Sequence, residues 1–199
     1  IEPYGEMSEP ADPRALKEAL DAGLSMLLMA DIGVIPGESQ QIIADWVKRG
    51  GLLVRFAGPR LAGIEQGLDA DPLIPVTLRQ GGRSLGSALS WETPQAMQAF
   101  PTASPFAGLA LDGTVRVTRQ VLAEPDADLP DRVWAVLEDG TPLVTARREG
   151  KGTLVLFHVT ANADWSNLPL TLSRDGGPKA ASEKPAWISV KPACFASCA

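Results

Sequence analysis

The chain has 199 residues, 45% of them hydrophobic and 21% charged, and a formal net charge of −6. That is enough for one domain with a real core, in a composition typical of globular proteins. The acidic balance and the lack of a basic stripe argue against nucleic acid and anionic membrane surfaces as direct partners. The longest apolar run, Leu24 to Ala30 with Ser25 inside it, is too short to span a bilayer.

In chain order, the first stretch, IEPYGEMSEPADP, carries no period, and its start at Ile1 suggests a segment cut from a longer polypeptide. Asp12-Pro13 then opens a helix, as an N-cap followed by Pro at the first helical position. Ala15, Leu16, Ala19 and Leu20 form its apolar stripe, and Gly23 suits its C-terminal cap. Leu24 to Ala30 reads as a buried strand ending at Asp31. A second helix is predicted from about Glu38 to Arg49, with Ile42, Ile43, Trp46 and Val47 on one face. Gly50-Gly51 releases it, and Leu52 to Phe56 is the next strand. Two apolar strands around one amphipathic helix make a β-α-β unit, hence parallel strands joined by a right-handed crossover.

Beyond Gly63 the pattern changes to strands. Pro75 to Arg79 and Ser84 to Trp91 are predicted as strands around a turn at Gln80-Gly81-Gly82-Arg83, and Val115 to Leu122 as another. Val133 to Leu137 and Pro142 to Ala146 flank Asp139-Gly140, a hairpin signal. Gly150-Lys151-Gly152 turns the chain again into Thr153 to Val159, an almost wholly apolar strand. The fold expected is α/β with a mainly parallel sheet, over residues 1–171, with a β-rich insertion at about 70–125. Residues 172–199 have no period and many small residues, and read as an irregular tail or as sequence foreign to the domain.

These residues resemble a known family. MLLMADIG followed by IIADWVKRGGLLVRFAG resembles the core of class I glutamine amidotransferase-like domains, whose fold is flavodoxin-like. LEDGTPLVTARREGKGTLVLFHVTA is similar to the dG-x-P-x-x-V and G-x-G-x-x-x-x-F pattern of their non-catalytic relatives. More narrowly, LLVRFAGPRLA, LGSALSW, SPFAGL, VTRQVLAEP, DGTPLVT and FHVTANADWSNLPL resemble one bacterial membrane-protein family. That family has an N-terminal double-transmembrane segment like that of the aerotolerance (Bat) proteins and a C-terminal domain called DUF4159. The likeness covers about residues 24–171. It implies a non-catalytic, structural or protein-interaction module of a membrane-anchored bacterial protein. Its partners would be the adjacent domains of the same polypeptide and envelope proteins; this segment would not itself enter the membrane, and the side of the membrane stays open. In the family WSNLPL leads into an apolar helix; here Thr171-Leu172-Ser173-Arg174-Asp175 follows, as a frameshift or a vector-derived end would produce.

An active amidotransferase needs a thiolate at the strand-to-helix elbow, a His as base and an acid to orient it. The elbow here is Arg55-Phe56-Ala57-Gly58, without a nucleophile, and Pro59 removes an N–H that an oxyanion hole could use. No catalytic residue is therefore assigned. The enzymatic alternative is a hydrolase or amidotransferase acting through His158, the only histidine, with Asp31 or Asp164 as its acid; the plainer reading of His158 is a hydrogen-bonded residue closing a strand. A third reading is a small-ligand module built on the strand ends around Asp31 and Gly58. Asp31 with Glu38 offers a cation an incomplete shell and more simply caps its own turn. Arg55 and Arg60 could hold an anion or a partner's carboxylate, or be solvated or ion-paired. Ser87 and Ser90 lie in an expected strand, away from any G-x-S-x-G elbow. No Walker A loop or dinucleotide fingerprint occurs, so no cofactor is expected. Nor is a metal, since Cys194 and Cys198 stand in a lone C-x3-C pair. Trp91, Trp134 and Trp165 are read as packing residues before a sugar-stacking platform.

Overall fold

The computed structural model of the protein describes residues 12–64, 71–84, 93–109 and 113–168. Helix α1 (Pro13–Asp21) starts where Asp12 accepts the Arg14 N–H at 3.2 Å, and strand β1 (Met26–Ala30) follows. Helix α2 (Gly37–Lys48), strand β2 (Leu52–Phe56) and the single turn α3 (Pro59–Ala62) complete the first half. The second half holds β3 (Leu78–Ser84), β4 (Arg119–Ala123), α4 (Leu129–Arg132), β5 (Val133–Val136), β6 (Pro142–Glu149) and β7 (Gly152–Phe157).

The central sheet has the order β1-β2-β7-β6-β5, and β3 pairs with β4 in a small antiparallel sheet. β1, β2 and β7 are parallel in register, Met26 beside Leu52 beside Thr153, while β7 to β6 and β6 to β5 are antiparallel. Every central strand except β6 therefore points the same way. The fold is α/β with a mixed, mostly parallel central sheet.

Alternation along the strands divides the core between the two faces of the sheet. Leu53 and Leu154 meet α1 and α2 through Leu20, Ile43, Trp46 and Val47. Val54 and Val155 point the other way, into a cluster with Val117, Leu137 and Val144 that Met97, Phe100, Phe106 and Trp134 cover. A third cluster joins the small sheet to the central one through Ala57, Leu61, Val76, Val121, Leu156 and Trp165. Trp134 meets the Phe106 ring edge-on and Trp165 is buried in the core. The two tryptophans that lie among the described residues beyond residue 100 thus pack. Gly152 is where α2 abuts β7: a Cβ there would run into the Val47 carbonyl.

Three expectations are corrected. β1 is not a buried strand but an edge strand. Leu27 and Met29 face α1 and α2, while Met26, Leu28 and Ala30 are exposed. An uncharged run looks the same in a central strand as at an unpaired edge, because burial depends on neighbours that the run does not encode. Gln80 to Arg83 is not a turn but part of β3, whose pairing with β4 shifts register between Leu78 and Gly82. A glycine pair inside a strand marks such an irregularity as readily as a turn. The strand expected from Val115 begins only at Arg119; Val117 instead bridges Gln95 and Ser166. The hairpin at Asp139-Gly140 forms as expected, with Gly140 at φ 81 and its N–H on the Leu137 carbonyl at 2.9 Å. Most of Ser84 to Trp91, with Ser87 and Ser90, and all of 172–199, with both cysteines, lie outside the described residues.

Candidate functional site

The three parallel strands end side by side, and this places most of the expected site residues at one end of the sheet. Asp31 follows β1, Ala57-Gly58 follows β2 and His158 follows β7. The ladder continues one step beyond the strands: the Asp31 N–H donates to the Phe56 carbonyl at 2.9 Å, and the Ala57 N–H to the Phe157 carbonyl at 2.8 Å. In an open α/β sheet this is the end where ligands bind.

At the elbow, Gly58 is the N-cap of α3 and Pro59 its first helical residue. Gly58 has no side chain to cap with and Pro59 no N–H, so the free donors of the first turn are those of Arg60 and Leu61. Asp31, held at φ 47, turns its carboxylate over this point. Its oxygens accept from the Arg60 N–H at 3.1 and 3.3 Å and from the Leu61 N–H at 3.1 Å. The packing is tight enough to require glycine, since a Cβ on Gly58 would stand 2.5 Å from Asp31 Cγ. Backbone donors at a nucleophile elbow are those that would stabilise an oxyanion. Here the chain's own carboxylate occupies them.

Arg55 is nearly fully buried, 1% exposed, although it lies in β2. Its Nη1 donates to Asp71 Oδ2 at 2.5 Å and its Nη2 to the Ile32 carbonyl at 2.8 Å. Asp71 Oδ1 accepts in turn from the Leu73 N–H at 2.9 Å and Gln40 Nε2 at 3.3 Å. The anion that Arg55 holds is thus internal. Asp71 was not visible as a functional partner in the sequence; its only signal was Asp71-Pro72, an ordinary turn opening. Arg60 is exposed and joins the site through its backbone N–H.

His158 is fully buried, with both ring nitrogens partnered. Nδ1 lies 2.8 Å from the Val121 carbonyl and Nε2 3.0 Å from Thr145 Oγ1. A carbonyl only accepts, so Nδ1 carries the proton and the Thr145 hydroxyl donates to Nε2. Val121 is gripped twice, because its own N–H donates to the His158 carbonyl at 2.8 Å. Burial pushes the His158 pKa down to about 4, against the Val121 hydrogen bond, which raises it. The ring is a neutral clamp between the central sheet and β4. Thr145, also fully buried, had no sequence signal beyond a hydroxyl inside an apolar strand.

Asp164 is exposed in the loop after β7. Its N–H donates to Asn162 Oδ1 at 3.0 Å and its carbonyl accepts from Thr118 Oγ1 at 2.8 Å, so it does not orient the histidine ring. Glu38 opens α2 as an exposed first-turn carboxylate. Two cavities, of about 150 and 260 Å³, lie elsewhere, around Pro72 and Arg147, and none of Asp31, Gly58, Arg60, His158 and Asp164 lines either. Among the described residues no helix is long and apolar enough to cross a membrane.

No family model matches the chain, and no curated protein matches it significantly. Solved structures do share its fold. The cytoplasmic protein STM3548 from Salmonella typhimurium superposes with a TM-score of 0.57 at 15% identity, over 80% of this chain and 68% of that one. The cytoplasmic protein STM1381 from Salmonella typhimurium LT2 also gives 0.57, at 20% identity, over 77% of this chain and 66% of that one. The β-galactosidase of Rahnella sp. R3 gives 0.49 at 19% identity, over 76% of this chain and 22% of that one. At these identities the first two establish the α/β architecture and nothing about chemistry.

Proposed function

We propose that the chain is a non-catalytic glutamine amidotransferase-like module of a larger membrane-anchored bacterial protein, with a structural or protein-interaction role. One observation carries this reading: the donors at the elbow after β2 are already bonded to Asp31. A site in that condition has no nucleophile at Ala57, no free oxyanion donors and no accessible base. His158 would have to release the Thr145 hydroxyl from Nε2 before it could take a proton from a substrate. The same carboxylate fills the space beside Gly58 where a small ligand would sit. The module's partners, in this reading, are the adjacent domains of its own polypeptide and envelope proteins.

Incubation with an electrophilic glutamine analogue, read by intact mass, tests the absence of catalysis. No ammonia release from glutamine and, by peptide mapping, no adduct outside Cys194 and Cys198 are expected, for the native chain and for Ala57→Cys alike. Turnover, or a covalent adduct elsewhere in the native chain, would overturn the reading. Immunodetection in washed membranes of the source organism tests the anchored setting, which recovery in the soluble fraction alone would overturn.

A further inference from the structure

The two ends of the central sheet carry opposite charge. Glu38, Glu138, Asp139 and Asp164 are exposed at the end where the parallel strands finish. At the end where they begin, α2 closes with Lys48-Arg49, and the chain turns from β6 into β7 through Arg147-Arg148-Glu149-Gly150-Lys151. These two segments, far apart in sequence, are joined by packing. The Lys151 N–H donates to the Lys48 carbonyl at 3.0 Å, and a Cβ on Gly150, which sits at φ 61, would meet that same carbonyl. Five cations, Lys48, Arg49, Arg147, Arg148 and Lys151, thus gather beside three carboxylates, Asp21, Asp45 and Glu149, in a chain of net charge −6. Asp21 is shared between Lys17 and Arg49, Glu149 stands 3.7 Å from Arg147, and Asp45 accepts from the Gln41 amide. Lys48 and Lys151 are exposed and pair with no carboxylate among the described residues. Two apolar side chains stand at the same end: Leu24, 43% exposed, whose carbonyl accepts from the Trp46 indole at 3.3 Å, and Met26, 46% exposed.

We propose that this end of the molecule is a contact surface for anionic lipid headgroups, centred on Lys48 and Lys151. The chemistry left available selects the partner. A fixed carboxylate or phosphate is read best by the fork of an arginine. Here Arg49 is turned to Asp21, and Arg147 to Glu149 and to the Pro72 carbonyl at 3.1 Å. The cations without a counter-charge are lysines, point charges on flexible stems that respond to charge density and need no fixed geometry. A fluid layer of headgroups offers charge density of that kind. Leu24 and Met26, beside the lysines, suit the boundary between headgroups and acyl chains, which a nucleic acid does not have. The acidic end does not cancel the attraction. Strands of five residues hold the two ends about 17 Å apart, beyond the screening length of about 10 Å at 0.1 M salt. The patch escapes a reading of the sequence because neither segment is a basic run by itself. The proposal concerns the free chain and does not rest on membrane anchoring, so either can fail while the other stands.

The test is co-sedimentation of the chain at low ionic strength with vesicles of phosphatidylcholine alone and with vesicles containing one-third phosphatidylglycerol, beside a gel-retardation assay on duplex DNA. Binding is expected only to the vesicles with phosphatidylglycerol, and should be lost as salt is raised. Lys48→Gln combined with Lys151→Gln, both at exposed positions, should keep the native circular dichroism and lower the partition coefficient by about thirtyfold. Arg14→Gln combined with Arg119→Gln makes the same change in net charge at exposed positions away from the patch, and should lower it by less than about threefold. A native chain that stays in the supernatant, or an equal loss in the two double variants, overturns the proposal. So does retention of DNA without binding to the vesicles.

Discussion

The elbow after β2 and the edge of β1 lie close together on the same sheet and are opposite in condition. At the elbow Asp31 is spent on the Arg60 and Leu61 amides, Arg55 on Asp71 and Ile32, and His158 on Val121 and Thr145. At the edge, the apolar residues Met26 and Leu28 are exposed. The elbow has the residue types of a site without its availability. The edge has no reactive residue, and no strand among the described residues pairs with its outward side. Availability, set by what each group already bonds, separates an interaction surface from a structural joint.

The comparison can be broken most forcefully at Arg55. Asp71→Ala would leave a buried guanidinium without its counter-charge, and a loss of about 3–5 kcal/mol in urea unfolding is expected. A loss below about 1 kcal/mol would mean that water already reaches Arg55 and that the network is open to ligands.

Acid probes His158 next. Its folded pKa of about 4 lies below the ordinary value of 6.5, so between these pH values the unfolded chain binds the extra proton. Stability is therefore expected to be full above pH 6.5 and to fall as pH drops toward 4, by roughly 3 kcal/mol in total. His158→Gln should flatten that part of the pH profile of unfolding, whatever it does to absolute stability. An unchanged profile would show that the ring is not the buried neutral clamp described here.

Smaller effects sharpen the picture of the elbow. Gly58→Ala drives a methyl group into the Asp31 carboxylate and should cost about 1–3 kcal/mol by thermal unfolding. Asp31→Ala removes the acceptor for the first turn of α3 and should cost about 1 kcal/mol. Hydrogen exchange should show the Arg60 and Leu61 amides released in that variant and unchanged in Gly37→Ser, where a side chain meets open space and the carboxylate stays in place. The smallest effect belongs to the edge: Leu28→Lys should change the stability of the chain by no more than about 0.5 kcal/mol, because the side chain is already exposed.

Much of the local structure was legible from residues alone. Asp12-Pro13 opened α1, Leu52 to Phe56 was β2 to the residue, and Asp139-Gly140 made its hairpin, because caps, short apolar runs and turn glycines act over a few residues. The alternation of helix and strand was enough for an α/β class with β1 and β2 parallel. The absence of a nucleophile at Ala57-Gly58 was likewise a property of the letters. Tertiary structure decided everything that depends on partners distant in sequence. It set β1 at an edge rather than inside the sheet, ran β3 through Gly81-Gly82, gave Arg55 to Asp71 and His158 to Val121 and Thr145, and closed the elbow with a carboxylate from the neighbouring strand. A side chain's type is written in the sequence, but its burial and its hydrogen-bond partners are created only when strands far apart in the chain are laid side by side.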